Sequence, residues 1–155
     1  MFDESPSVWG KILVNLRNII QSSTEFKDID VYFDDSEMNP TVHLPCISFK
    51  VGKKQLLPSS SYCTEYNRRL EIRLHTKTID KRELQEELYK YEEDLVRVLN
   101  NARLSNQLLD CYEIVEDESS PLMNAMFNAR KEGNQTDMTF FSNLIKLFFN
   151  VRYTI

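Results

Sequence analysis

In the stretch NLIKLFFNVRYTI, residues 143–155, Leu147, Phe149, Val151, Tyr153 and Ile155 fall on one side of an extended chain. Lys146, Asn150, Arg152 and Thr154 fall on the other, and only Phe148 breaks the rule. Strict alternation of this kind is the period-two signature of a half-buried strand. A strand at the end of a chain frays unless something ties it down. This one is therefore expected either inside a sheet or with a free edge open to another chain.

Working outward, YNRRLEIRLHTK (66–77) repeats the pattern, with Leu70, Ile72 and Leu74 inward and Arg69, Glu71, Arg73 and His75 outward. CISFKV (46–51) places Ile47, Phe49 and Val51 on one side and Cys46, Ser48 and Lys50 on the other. These two segments are expected to pair as a hairpin, with GKKQLLPSSSYCTE (52–65) as an unusually long connection at its tip. DVYFDD (30–35) reads as a short strand that Asn39, Pro40 and Pro45 break, and LLDCYEIVED (108–117) as a strand around Tyr112 to Val115.

Two segments carry helical spacing instead. In SPSVWGKILVNLRNIIQSS (5–23), Val8, Trp9, Ile12, Leu13, Leu16, Ile19 and Ile20 form one stripe, with Ser5 placed to cap and Pro6 at the first helical position. In TIDKRELQEELYKYEEDLVRVLNNARL (78–104) the stripe is Leu84, Leu88, Tyr91, Leu95, Val98 and Ala102, with Asp80 and Glu83 spaced as a capping box. Glu83, Glu86, Glu87, Glu92, Glu93 and Asp94 fall mostly on its wet side. In ESSPLMNAMFNARKEGNQTD (118–137), Pro121 is positioned to start a short extra helix that Gly133 ends.

The expected element order is thus αβββαββ, with a short extra helix near 121–131. Residues 1–155 form one domain, without repeats or a composition shift. An antiparallel sheet with two helices on one face buries both stripes, which makes the fold class α+β. The other face carries Arg69, Glu71, Arg73, Lys146, Asn150 and Arg152, to be left wet or given to a partner.

Composition narrows the function. Apolar residues make up 41%, enough for one core, while a net charge of −5 argues against gripping phosphate backbones. The opening MFDESPSVWG is acidic where a secretory leader starts basic, and no apolar run approaches the ~20 residues needed to span a bilayer. A soluble, intracellularly made protein is expected. Cys46, Cys63 and Cys111 form no paired framework, as in a reducing compartment.

Catalytic signals are sparse. Three glycines allow no phosphate-cradling loop. A zinc site from Cys46, Cys63, Cys111 and His75 competes with plain buried cysteines, which is the commoner state. Asp34, Asp35 and Glu71 suit a small metal-dependent nuclease, but Arg73 stands where that template wants lysine. A charged strand face is the simpler reading, so neither catalytic residues nor a cofactor or metal are expected. What stands out instead is the tip, where Lys53, Lys54, Gln55, Leu56 and Leu57 combine charge with contiguous apolar side chains. Leu122, Met123, Met126, Phe127 and Arg130 offer a second adaptable patch.

The pattern as a whole resembles the tail terminator (tail completion) proteins of long-tailed bacteriophages and phage-tail-like bacteriocins. The matching pieces are WGKILVNLRNII, PCISFKV, RRLEIRLHTK, LQEELYKYEEDLVRVLNN, YEIVED and LFFNVRYTI, from Val8 to Ile155. The most family-like details are the spacing of Pro45, Ile47 and Phe49 and the closing Val151 and Tyr153; the excursion from Asp117 to Asp137 departs from the usual layout. The resemblance implies a hexameric ring on the head-proximal end of a tail tube. Such a ring ends tube polymerisation and docks the head-tail connector protein. It implies as partners further copies of the chain, the tail tube protein and in some tails a sheath protein, with DNA passing through unread. It also implies assembly in a host bacterial cytoplasm, a place in the virion tail, and no membrane contact. The tip and the excursion are the expected partner contacts, and Arg69, Glu71, Arg73 and Arg152 the intersubunit or sheet-face candidates. A head-completion or connector protein, the nuclease, and an adaptor domain for a cellular partner are the rivals.

Overall fold

The computed structural model describes residues 7–34, 45–58, 63–78, 81–117, 125–132 and 140–155. Its elements are α1 (Val8–Ser22), β1 (Asp30–Tyr32), β2 (Cys46–Leu56), β3 (Glu65–Thr78), α2 (Lys81–Leu104), β4 (Tyr112–Glu116), β5 (Ala125–Glu132) and β6 (Phe140–Thr154). The fold class is α+β, and the expected order of elements is present. Among the described residues no helix is long and apolar enough to cross a membrane.

The sheet is ordered β1-β2-β3-β6-β4, with β5 also pairing β6. β1 runs parallel to β2, and every other pairing is antiparallel. The closing strand lies inside the sheet. β3 pairs with β6 from Thr78↔Phe141 to Glu65↔Thr154, while β5 and β4 share the other side of β6 at its two ends. Its end is tied on both sides: Thr154 N donates to the Cys111 carbonyl at 2.9 Å and Ile155 N to the Thr64 carbonyl at 3.0 Å. Ladder bonds on both flanks are what keep a terminal strand from fraying.

The core follows the alternation. Ile145, Leu147, Phe149, Val151 and Tyr153 of β6, Leu70, Ile72 and Leu74 of β3, and Ile47 and Phe49 of β2 are buried. They pack in one cluster with Ile12, Leu13, Leu16, Ile19 and Ile20 of α1 and with Leu88, Tyr91, Leu95, Val98, Leu99 and Ala102 of α2. Both helices therefore cover the same face, each through its expected stripe. Ile155 continues the parity of that face but stays 65% exposed.

The ends of the helices differ in detail from the sequence reading. Ser5, Pro6 and Asp80 lie outside the described residues, and the cap of α1 is Ser7, whose hydroxyl accepts from Gly10 N at 3.0 Å. Just past the end of α2, Asn106 takes the left-handed region at φ 56°. Gln107 N then reaches the Ala102 carbonyl at 2.8 Å and Asn106 N the Arg103 carbonyl at 3.2 Å, the paired bonds of a Schellman stop.

Two expectations are corrected. Residues 125–132 form strand β5 instead of a short helix. The physical reason is the length of β6: its first residues would leave an open edge, and pairing with it outweighs the helical preference of so short a segment. The hairpin connection is also shorter than expected. β2 continues through Leu56 and its ladder with β3 resumes at Lys54↔Arg68, so only 57–64 separate the strands. Between Val51 and Lys54 the register shifts, with Gly52 and Lys53 opposing Arg69 alone, which is a β-bulge.

Candidate assembly surface

The bulge makes the outer part of β2 unusual. A Cβ on Gly52 would stand 3.0 Å from the Arg69 carbonyl oxygen and 3.2 Å from Arg69 Cβ, so the close approach suits glycine. Beyond it, Lys54 pairs with Arg68 and Leu56 with Tyr66, which puts both on the helix-covered face. Lys53, Lys54, Gln55 and Leu56 are all exposed, and Leu57, just past the strand, is half-buried. Of these tip residues named from the sequence, Lys54, Gln55 and Leu56 thus pair with β3, Lys53 lies in the bulge and Leu57 follows the strand. β1 covers the outer edge of β2 only from Cys46 to Ser48. From Phe49 to Leu56 no strand among the described residues pairs with that edge.

On the helix face, just past the start of α1, aromatic rings and cations alternate. Trp9 and Tyr66 flank Tyr153 at 5.2 and 5.7 Å between ring centroids. Lys54 Nζ stands 4.4 Å from the Tyr66 ring and the Arg68 guanidinium 4.8 Å from the Trp9 ring. Such contacts hold a cation on a ring face at ~0.5–1 kcal/mol each when exposed. Burial raises the Tyr153 hydroxyl pKa, with Arg68 opposing the rise. The stack fixes Lys54 in place, and Leu56 beside it is 64% exposed.

The opposite edge of the sheet carries the other sign. Asp110, Glu113 and Glu116 are exposed on and beside β4, and Glu93 is exposed on α2. A cleft of about 470 Å³ runs between Glu92, Glu93 and Arg97 of α2 and Glu116 of β4. The local cations have partners: Arg97 meets Asp94 at 3.2 Å and Arg152 meets Glu113 at 3.9 Å. Val115 is also exposed there, and no strand among the described residues pairs with the outer side of β4.

Arg69, Glu71, Arg73 and Arg152 share the face away from the helices as the parity requires, with Arg73 and Arg152 six ladder positions apart. They are not equally wet. Arg73 is 7% exposed and binds Glu71 Oε2 through Nη2 at 2.9 Å and Nε at 3.0 Å. Arg69 covers the Phe148 ring at 4.1 Å and binds Asp117 at 3.1 Å, which accounts for the one apolar residue that broke the alternation of β6. Arg152 remains exposed. This face is thus wet at the end that carries Arg69 and Arg152 and shielded at the end that carries Arg73 and Ser48.

In the excursion, Leu122 and Met123 lie outside the described residues, and Met126, Phe127 and Arg130 fall on β5. The ladder of β5 with β6 shifts register between Met126 and Arg130. The cysteine set named for zinc is split: Cys46 pairs with His75 across β2 and β3, while Cys63 and Cys111 lie toward the far end of β3. None of the three cysteines is joined in a disulfide. Asp35 lies outside the described residues, Glu71 is held by Arg73, and among the described residues no three His, Cys, Asp or Glu side chains converge as a metal site. A feature the sequence did not signal is Ser48 Oγ within 2.8 Å of His75 Nε2. Ser48 is fully buried, so this pair joins two strands below the surface.

No family model matches this sequence and no curated protein matches it.

Proposed function

We propose that this chain is a structural protein of a phage or phage-like tail, working by assembly without catalysis. In this reading, copies close into a hexameric ring that caps the head-proximal end of the tail tube, stops its growth and presents a docking surface to the head-tail connector protein. DNA passes through the ring without being read. The observation that carries the proposal is the α+β subunit itself: a sheet with two helices on one face and two differently built edges, Phe49–Leu56 of β2 and Tyr112–Glu116 of β4, with which no further strand among the described residues pairs. Closed rings use heterologous contacts, in which one surface of a subunit meets a different surface of the next, and unlike edges supply such a pair. The outer β2 edge, with Lys53, Lys54 and Leu56 exposed, is the surface assigned to tube or neighbour.

The test is to polymerise the tail tube protein from the same particle with and without this chain and to image the tubes. Tubes of restricted length with a ring at one end are the expected result. Unregulated tube lengths in the presence of the intact chain overturn the proposal.

A further inference from the structure

We infer that copies of this chain join head to tail, with the lysine-bearing edge of β2 in one copy against the acidic edge formed by β4 and α2 in the next. This deepens the ring reading above and rests on it for closure into a ring; the edge pairing itself is argued from charge and strand direction.

The two edges lie at opposite sides of the same sheet, in the order β1-β2-β3-β6-β4. Lys50, Lys53 and Lys54 are exposed along the β2 side, and Asp110, Glu113, Glu116 and Glu93 along the β4 side. A chain of net charge −5 repels its own copies unless positive and negative surfaces are segregated and apposed. Here they are segregated edge from edge. The basic side chains nearest the acidic edge, Arg97 and Arg152, already face Asp94 and Glu113.

Strand direction agrees with the charges. β2 is antiparallel to β3, β3 to β6 and β6 to β4, so β2 and β4 run in opposite senses within one subunit. A second copy added at the edge in the same orientation brings its β2 antiparallel to β4, the better-bonded arrangement of strands. The occupant is therefore a second copy, and the contact is heterologous. Edge lysines and a bulge commonly blunt a strand edge against indiscriminate pairing. Here the same lysines leave the edge available only to a partner of opposite charge, which selects against the β2 edge of another copy.

The experiment uses charge reversal. One double variant carries Lys50→Glu and Lys53→Glu; the other carries Glu93→Lys and Glu116→Lys. Circular dichroism and thermal melting confirm that both fold, and sedimentation velocity at low salt reads assembly. The wild-type chain is expected to form oligomers that dissociate as salt rises, since exposed charges are screened beyond ~10 Å at 0.1 M. Each variant alone is expected to lose the oligomer, and an equal mixture of the two to regain it, because each then offers the edge the other lacks. A wild-type chain that stays monomeric at low salt overturns the inference. So do folded variants that assemble like wild type, or a mixture that stays monomeric. Reversal variants that still restrict tube length overturn the edge assignment and leave tube capping standing. Wild-type oligomers that pass this test yet leave tubes unregulated overturn tube capping alone.

Discussion

Tyr112 donates its hydroxyl to Asn15 Oδ1 at 2.6 Å, tying the start of β4 to the middle of α1 across 97 residues of sequence. The same oxygen accepts from Leu109 N at 3.3 Å, and Asn15 Nδ2 donates to the Gln107 carbonyl at 3.2 Å. One amide thus satisfies the turn that follows α2 and sets where β4 meets β6. Asn15→Ala leaves the largely buried Tyr112 hydroxyl without this acceptor, and a loss of about 1–3 kcal/mol is expected. Tyr112→Phe removes one bond but leaves the other two, and is expected to cost about 1 kcal/mol. Urea unfolding checks both, with the midpoint falling at unchanged slope.

Alkaline pH should unfold the protein through its buried tyrosines. Burial pushes the hydroxyl pKa of Tyr91 well up and raises those of Tyr112 and Tyr153 as well. An acid whose pKa is higher folded than unfolded contributes stability that is fully present below the unfolded value, near 10. That stability drains away as pH climbs toward the folded value. Tyr91→Phe isolates one group. Its bond to the Ile72 carbonyl is long, 3.4 Å, so the change at neutral pH is expected to stay within about 1 kcal/mol. Between pH 7 and about pH 11, the variant should lose less stability than wild type. An identical loss in both would contradict the assignment.

Much of this fold was legible in the sequence, and the reason is periodicity. The alternation through Leu147, Phe149, Val151 and Tyr153 and the helical stripe through Leu88, Tyr91 and Leu95 each report a face, and those faces meet in one core. What could not be read depends on partners distant in sequence. The strand over 125–132 exists because β6 offers an edge, which no local propensity reveals. The outer part of β2 pairs because Gly52 admits a bulge against Arg69. The candidate surface is half legible: Lys53 to Leu57 stand out in the sequence, but as part of a long connection at the hairpin tip and not as strand. The acidic edge was not singled out, because Glu93 and Glu116 are far apart in sequence and meet only across the cleft between α2 and β4.

Gly52→Ala tests the bulge. The added methyl would sit 3.0 Å from a backbone oxygen, so β2 or β3 must shift by a few tenths of an ångström at an expected cost of about 1–2 kcal/mol. Because Lys54 and Leu56 take their facing from the bulge, the variant should also perturb the Lys54–Tyr66 and Tyr66–Tyr153 contacts. Thermal melting reads the first effect. Near-ultraviolet circular dichroism of the tyrosines reads the second, and an unchanged spectrum at unchanged stability would show that the strand tolerates a side chain there.

The ion pair of Arg73 with Glu71 separates burial from attraction. Both groups are largely shielded, with side chains 8% and 19% accessible. Taking charges out of water costs most of what their attraction returns, whereas removing one partner strands the other. Arg73→Met is therefore expected to destabilise by about 3 kcal/mol, because Glu71 loses the guanidinium that it binds. Glu71→Met should also destabilise, leaving the more deeply buried guanidinium behind. The double variant is expected to recover a large part of the summed loss, a non-additivity that a double-mutant cycle by urea unfolding reads directly. Strictly additive single-variant losses would mean that each side chain acts through other neighbours, and that the pair does not hold β3 as a unit.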